Sequence, residues 1–168
     1  MLEIIVVCLL LILFLKYLNK KSNKNISNKI VNNYSKKSLI TNFEKYFYDA
    51  MVDLEKELNI KILPQVNLGS IINKNTNNYY RNELFRNIDF GIFTSDYKEI
   101  LLLIEINDKT HNNKKRIKRD KKVDYITANA GIRLIKFYSN YDNKREYIKE
   151  RVKNEILKER DKLNISNK

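Results

Sequence analysis

Cysteine is nearly missing from this chain, Cys8 being the only one, so no intramolecular disulfide can brace the fold and its stability must come from a packed core. With a single histidine, His111, beside that single cysteine, a structural zinc cluster is disfavoured as well. Glycine occurs only at 69, 91 and 131, which leaves no glycine-rich Walker loop to cradle a nucleotide phosphate. The one proline, Pro64, interrupts a strand-like run and marks that strand as an edge, because proline gives no N–H to a ladder. Acidic side chains are absent from residues 16–37, a stretch that carries seven lysines.

What is present suits a globular body with an appendage. The chain has 168 residues and 43% hydrophobic composition, enough for one domain with a real core and too little for two full ones. The formal charge of +13 is concentrated rather than spread. Residues 16–37 carry seven of these charges, and residues 109–122 a further net seven, with eight Lys or Arg against Asp120 alone, while Glu3 takes one away. Elsewhere in 38–168 the charges cancel.

Residues 4–15, IIVVCLLLILFL, are uninterrupted apolar. Extended to residue 18 the segment reaches ~27 Å as a helix, close to a ~30 Å hydrocarbon core if Lys16 snorkels. A cleaved signal peptide would start with basic residues and end at small ones, and neither feature is seen. The segment therefore reads as a single-pass transmembrane anchor over 1–18. The lysines that follow place the C-terminal body in the cytoplasm by the positive-inside rule. Residues 19–37, rich in Asn, Lys and Ser, read as a basic tether able to lie against anionic lipid. The body is 38–168.

Within the body, Thr41 and Glu44 have capping-box spacing, and apolar residues follow at helical intervals to Leu58, so the pattern predicts a helix over 41–58. Strands are expected at 60–68, 88–94 and 99–106, the last two as a hairpin. A short helix is expected near 79–85. A helix over 112–130 presents Val123, Ile126 and Ala130 on one face and stops at Gly131. A buried strand at 132–138 and a charged amphipathic helix at 142–163 complete the order. The result is an α/β (α+β mixed) fold with a central mixed sheet flanked by helices, in which 99–138 forms a βαβ crossover.

The segment LLLIEINDKTH, 101–111, ends a strand in metal-loving side chains. If the hairpin turn centres on Tyr97, Asp89 stands opposite Glu105 on one face, and two carboxylates with water and substrate phosphate suit Mg²⁺ or Mn²⁺. Such an ion acidifies water and binds a phosphoryl oxygen, the needs of phosphodiester hydrolysis. The plainer alternative is that Asp89 opens a strand, Glu105 closes one and Asp108 caps the next helix. The basic run KKRIKRDKK, 114–122, would draw a phosphate-rich partner through Lys109, Lys114, Lys115, Arg116, Lys118, Arg119, Lys121 and Lys122. Lipid headgroups are the rival partner. Tyr79 and Tyr80 beside Arg81 are candidates for stacking on bases.

The ordered set of Glu44, Asp89 in IDFGIF, Glu105 in IEINDKTH, Arg119–Asp120 and AGIRLIKF from Ala130 resembles the restriction-endonuclease-like PD-(D/E)xK superfamily. It is most similar to the very-short-patch-repair-like branch known as domain of unknown function 2726, over about residues 40–140. The resemblance implies an αβββαβ core, Asp89 and Glu105 as metal ligands, Glu44 as a supporting acid, and Asp108, His111 and Asp120 near the site. Where the superfamily pattern has lysine, this chain has Asn107, which hydrogen-bonds but supplies no cation. His111 as general base, or Lys109, Lys121 or Lys122 from the neighbouring helix, are the candidates to compensate. Three readings stay open: a membrane-anchored metal-dependent nuclease, a nuclease-like module that binds nucleic acid without cutting it, and a membrane-surface scaffold.

Overall fold

In the computed structural model the described residues are 7–21, 34–75, 82–107 and 114–166, with the side chains of 114–116 and 166 outside the description. Two compact units emerge, Met1–Ser38 and Leu39–Lys168.

The first unit contains α1, a helix over 7–21 whose apolar side chains are exposed along its length. Its fifteen residues rise only ~22 Å, short of a ~30 Å hydrocarbon core. Among the described residues no helix is long and apolar enough to cross a membrane. The transmembrane helix expected over 1–18 is thus not found there, and residues 1–6 of that segment lie outside the described residues.

The second unit runs α2 (Asn42–Met51), α3 (Asp53–Leu58), β1 (Ile60–Asn67), β2 (Asn87–Thr94), β3 (Ile100–Asn107), α4 (Lys114–Asn129), β4 (Leu134–Tyr138) and α5 (Arg145–Ser166). The expected order holds, with the first helix broken at Val52. There the Glu55 N–H turns to the Val52 carbonyl, and Asn59 in the left-handed region (φ 49°) ends the run. The four strands form one mixed sheet in the order β1-β2-β3-β4. β1–β2 and β2–β3 are antiparallel, and β3–β4 are parallel across the α4 crossover. Pro64 lies in β1, an edge strand as its missing N–H requires.

One face of the sheet packs against α2, α3 and α5 through Phe47, Met51, Phe90, Ile104, Phe137 and Val152. The other face carries Leu68, Ile88, Leu103 and Val123, the last from α4. Ala130, expected on the buried face of α4, is exposed beyond the helix end; Thr127 is buried instead, its hydroxyl donating to the Val123 carbonyl at 3.0 Å. Gly131 stops α4 as expected, at φ 71°. The segment expected as a helix near 79–85 forms a 3₁₀ turn at Asn82–Leu84, and 76–81 lie outside the described residues.

Candidate functional site

The pairing of β2 with β3 runs to Phe90↔Ile104, and the same register carried one residue further sets Asp89 against Glu105. On the other side of β2, the pairs Pro64↔Phe90 and Val66↔Ile88 bracket Gln65 and Asp89. On the other side of β3, Glu105 pairs directly with Lys136. One level of the sheet therefore reads Gln65, Asp89, Glu105, Lys136, a row of four polar residues across all four strands. Gln65 sits at φ 55°. Asp89 Oδ2 accepts the Ile106 N–H at 2.6 Å, closing the gap where regular β2–β3 pairing ends.

Glu44 joins this row from the first turn of α2. The capping box predicted from its spacing is formed: Thr41 N–H donates to Glu44 Oε2 at 2.5 Å, and Glu44 N–H to Thr41 Oγ1 at 3.2 Å. Its other oxygen accepts from Gln65 Nε2 at 3.2 Å. The Asp89 carboxyl is pushed up to about 7, chiefly by burial. The Ile106 N–H opposes that rise, while Glu44, through charge and hydrogen-bonding reach, and then the charge of Glu105 add to it.

Glu105 also lies above the usual carboxylate range, again mainly through burial. Lys136 pulls it down, Asp120 and Asp124 push it up, and Arg119 pulls it down. Its Oε2 is buried and finds no hydrogen-bond partner among the described residues. A buried acceptor in that state costs free energy unless a cation or donor arrives. Glu105 lines a cavity of about 340 Å³ together with Asp120, Arg119, Arg86, Asn87 and Phe85. Acids and cations thus share one opening.

The predicted residues divide. Asp89 is brought to Glu44, and Glu105 to Asp120; the charge of Glu105 is only the last of the influences that raise Asp89. Asn107 pairs with Tyr138, and its carbonyl accepts the Ser139 N–H at 3.0 Å. Asp108, Lys109 and His111 lie outside the described residues, as do Tyr79, Tyr80, Arg81 and the side chains of Lys114, Lys115 and Arg116. On α4, Lys118, Arg119 and Lys121 are exposed. Lys122 is engaged by Glu83 at 2.7 Å; with Lys74 it holds the Glu83 carboxyl down to about 2.

Among the described residues no three His, Cys, Asp or Glu side chains are gathered to hold a metal ion. The donor set is smaller: Glu105 and Asp120 at one cavity, with Asp89 on the adjoining strand. Mg²⁺ commonly takes one or two carboxylates and completes its shell with water and phosphate, so the unpartnered Glu105 Oε2 fits such an ion.

Sequence reasoning missed Lys136 and Gln65. Lys136 is four-fifths buried and bound to Asp124 Oδ1 at 2.5 Å. Its signal was the one charged residue inside the strand LIKFY. Gln65 gave only the polar residue after Pro64.

The architecture defines a mixed α/β domain with acidic and basic side chains converging at one end of its central strands. The chain belongs to the family described as Protein of unknown function (DUF2726), whose model matches residues 36–158. No curated protein and no solved structure matches it.

Proposed function

We propose that the body is a metal-dependent nuclease of the PD-(D/E)xK type, hydrolysing phosphodiester bonds of DNA or RNA. The observation that carries this reading is the buried, unpartnered Glu105 Oε2 beside Asp120, in a cavity that also presents Arg86 and Arg119. Glu105 and Asp120 would hold a divalent ion whose shell water and phosphate complete, and which when bound supplies a Lewis acid and acidified water. Arg86, and Arg119 beside its ion-pair partner Asp120 at 3.6 Å, would take the phosphate oxygens. Lys136, in register with Glu105, brings to this level of the sheet the positive charge that Asn107 lacks. His111, six residues past Glu105 in the chain, keeps the general-base role assigned from sequence.

The test is incubation of the full-length chain with single- and double-stranded DNA and RNA in Mg²⁺ or Mn²⁺. Cutting that is lost in Glu105→Gln supports the reading, and intact nucleic acid across the panel refutes it. Asn107 favours a second reading, a module that binds nucleic acid without cutting it; in that case binding persists in a metal chelator and no condition yields products.

We further propose that the apolar N-terminal segment docks on or in a membrane and leaves the body at its cytoplasmic face. Support comes from the exposed apolar surface of α1 and the lysines that follow. Deletion of 1–18 should move the protein from the membrane fraction to the soluble one.

A further inference from the structure

A second cavity, of about 440 Å³, opens at the outer edge of β4. Lys136 and Tyr138 reach it from β4, Tyr141 and Asn143 from the turn that follows, and Tyr147 and Arg151 from α5. Its aromatic surface is held in place. Asn143 Nδ2 donates to the carbonyls of Tyr138 at 2.9 Å and Tyr141 at 3.0 Å, and the Asn143 carbonyl accepts the Tyr46 hydroxyl at 3.1 Å. Arg151 lies over the Phe137 ring, 4.6 Å from its centroid, and donates to the Tyr147 hydroxyl at 3.4 Å. Tyr138 and Tyr141 meet edge to face at 6.2 Å.

Tyr141 is nonetheless 60% exposed, and Tyr147, whose ring meets Phe137 edge to face at 6.3 Å, is 50% exposed, so both rings keep surface open to solvent. Rigid, solvent-facing aromatics flanked by cations form the surface on which nucleobases stack. Asp142, the one acid at this cavity, is turned to solvent and pairs with Lys144 at 3.7 Å. Lys136 lines this cavity and stands in register with Glu105, which lines the other. The strands that carry them are one sheet spacing apart, ~4.8 Å.

We propose that this groove is a stacking subsite for an unpaired nucleobase, on the strand whose phosphate lies at the Glu105 cavity. The proposal rests on the nucleic-acid reading above and narrows it to single-stranded or locally opened substrate. A base within a duplex keeps its faces against its neighbours and cannot enter a recess of this kind without being extruded.

The experiment uses the full-length chain and fluorescein-labelled oligothymidylate in a metal chelator, so that binding is read without cutting. Single strands are expected to bind at least about tenfold more tightly than the oligothymidylate–oligoadenylate duplex. Tyr141→Ala and Tyr147→Ala should each weaken single-strand binding about tenfold, and the phenylalanine variants should restore it. An abasic strand of equal length should bind weakly and show no further loss with Tyr141→Ala. Equal affinity for single strand and duplex, or alanine variants that bind oligothymidylate like the parent, overturns the subsite. Cleavage in Mg²⁺ is scored separately: its absence with tyrosine-dependent binding intact refutes the nuclease reading and leaves the stacking subsite standing.

Discussion

The carboxylate of Asp89 accepts the backbone N–H of Ile106 at 2.6 Å, so a side chain of one strand secures its neighbour at the point where their pairing ends. That bond keeps an acid inside the sheet although burial and Glu44 both disfavour its charge. The cost is visible as pH dependence.

Asp89 has a folded value of about 7, above the ordinary 3.8, so between those limits the folded chain holds a proton that the unfolded chain has released. Its contribution to stability is fully present below about pH 4 and is lost as pH rises through about 7. Glu105, raised in the same direction, reinforces the trend. Thermal melts should therefore show a higher Tm at pH 5.5 than at pH 8. Asp89→Asn retains an acceptor for Ile106 and should flatten that difference, gaining on the order of 1–2 kcal/mol at pH 8. A variant with the parent's pH dependence would place the titration elsewhere.

Divalent ions should act on the same groups with opposite sign. A cation at Glu105 favours its ionised form, so Mg²⁺ binding should release protons and raise Tm. Calorimetric titrations in two buffers of different ionisation enthalpy measure that release. Glu105→Gln should fold at least as stably as the parent in chelator, because it removes a buried carboxylate, and should lose the Mg²⁺-dependent rise in Tm. Persistence of that rise would move the ion away from Glu105.

Lys136→Met keeps much of the apolar stem and removes the charge that lowers the Glu105 carboxyl. We expect cutting to fall by about 10²-fold and the acidic limb of the pH profile to move upward, with partial rescue by Lys136→Arg. A structural role alone would lower Tm without moving the pH limb.

Replacing Lys118, Arg119 and Lys121 with glutamine should weaken binding to all nucleic-acid sequences alike. Each phosphate contact removed should reduce the slope of log affinity against log salt by about 1. An unchanged slope would mean that this exposed face of α4 does not meet the backbone.

Much of the architecture could be read from periodicity, since Val123, Ile148, Val152 and Ile156 are buried where helical spacing puts them and Pro64 lies on an edge strand. The hairpin register is more instructive. A turn centred on Tyr97 pairs Asp89 with Glu105, and the pairs Phe90↔Ile104 to Ile92↔Leu102 keep that sum. Nearer the turn, Phe93 faces Ile100, one residue out of step, and the extra residue Leu101 restores the register before the acids are reached. Sequence spacing could not reveal that compensation. Nor could it reveal Lys136, because the register of parallel strands is set by how α4 packs rather than by a countable turn. The Asp89–Ile106 bond was equally hidden, for it replaces a backbone pairing that alternation alone would have continued.

The two margins of the sheet carry one further consequence. On β1, Pro64 offers no donor and Gln65 kinks into the left-handed region, while β4 is only five residues long. A passing extended chain would find few consecutive partners on either side, so copies packed densely together should resist joining edge to edge into fibrils.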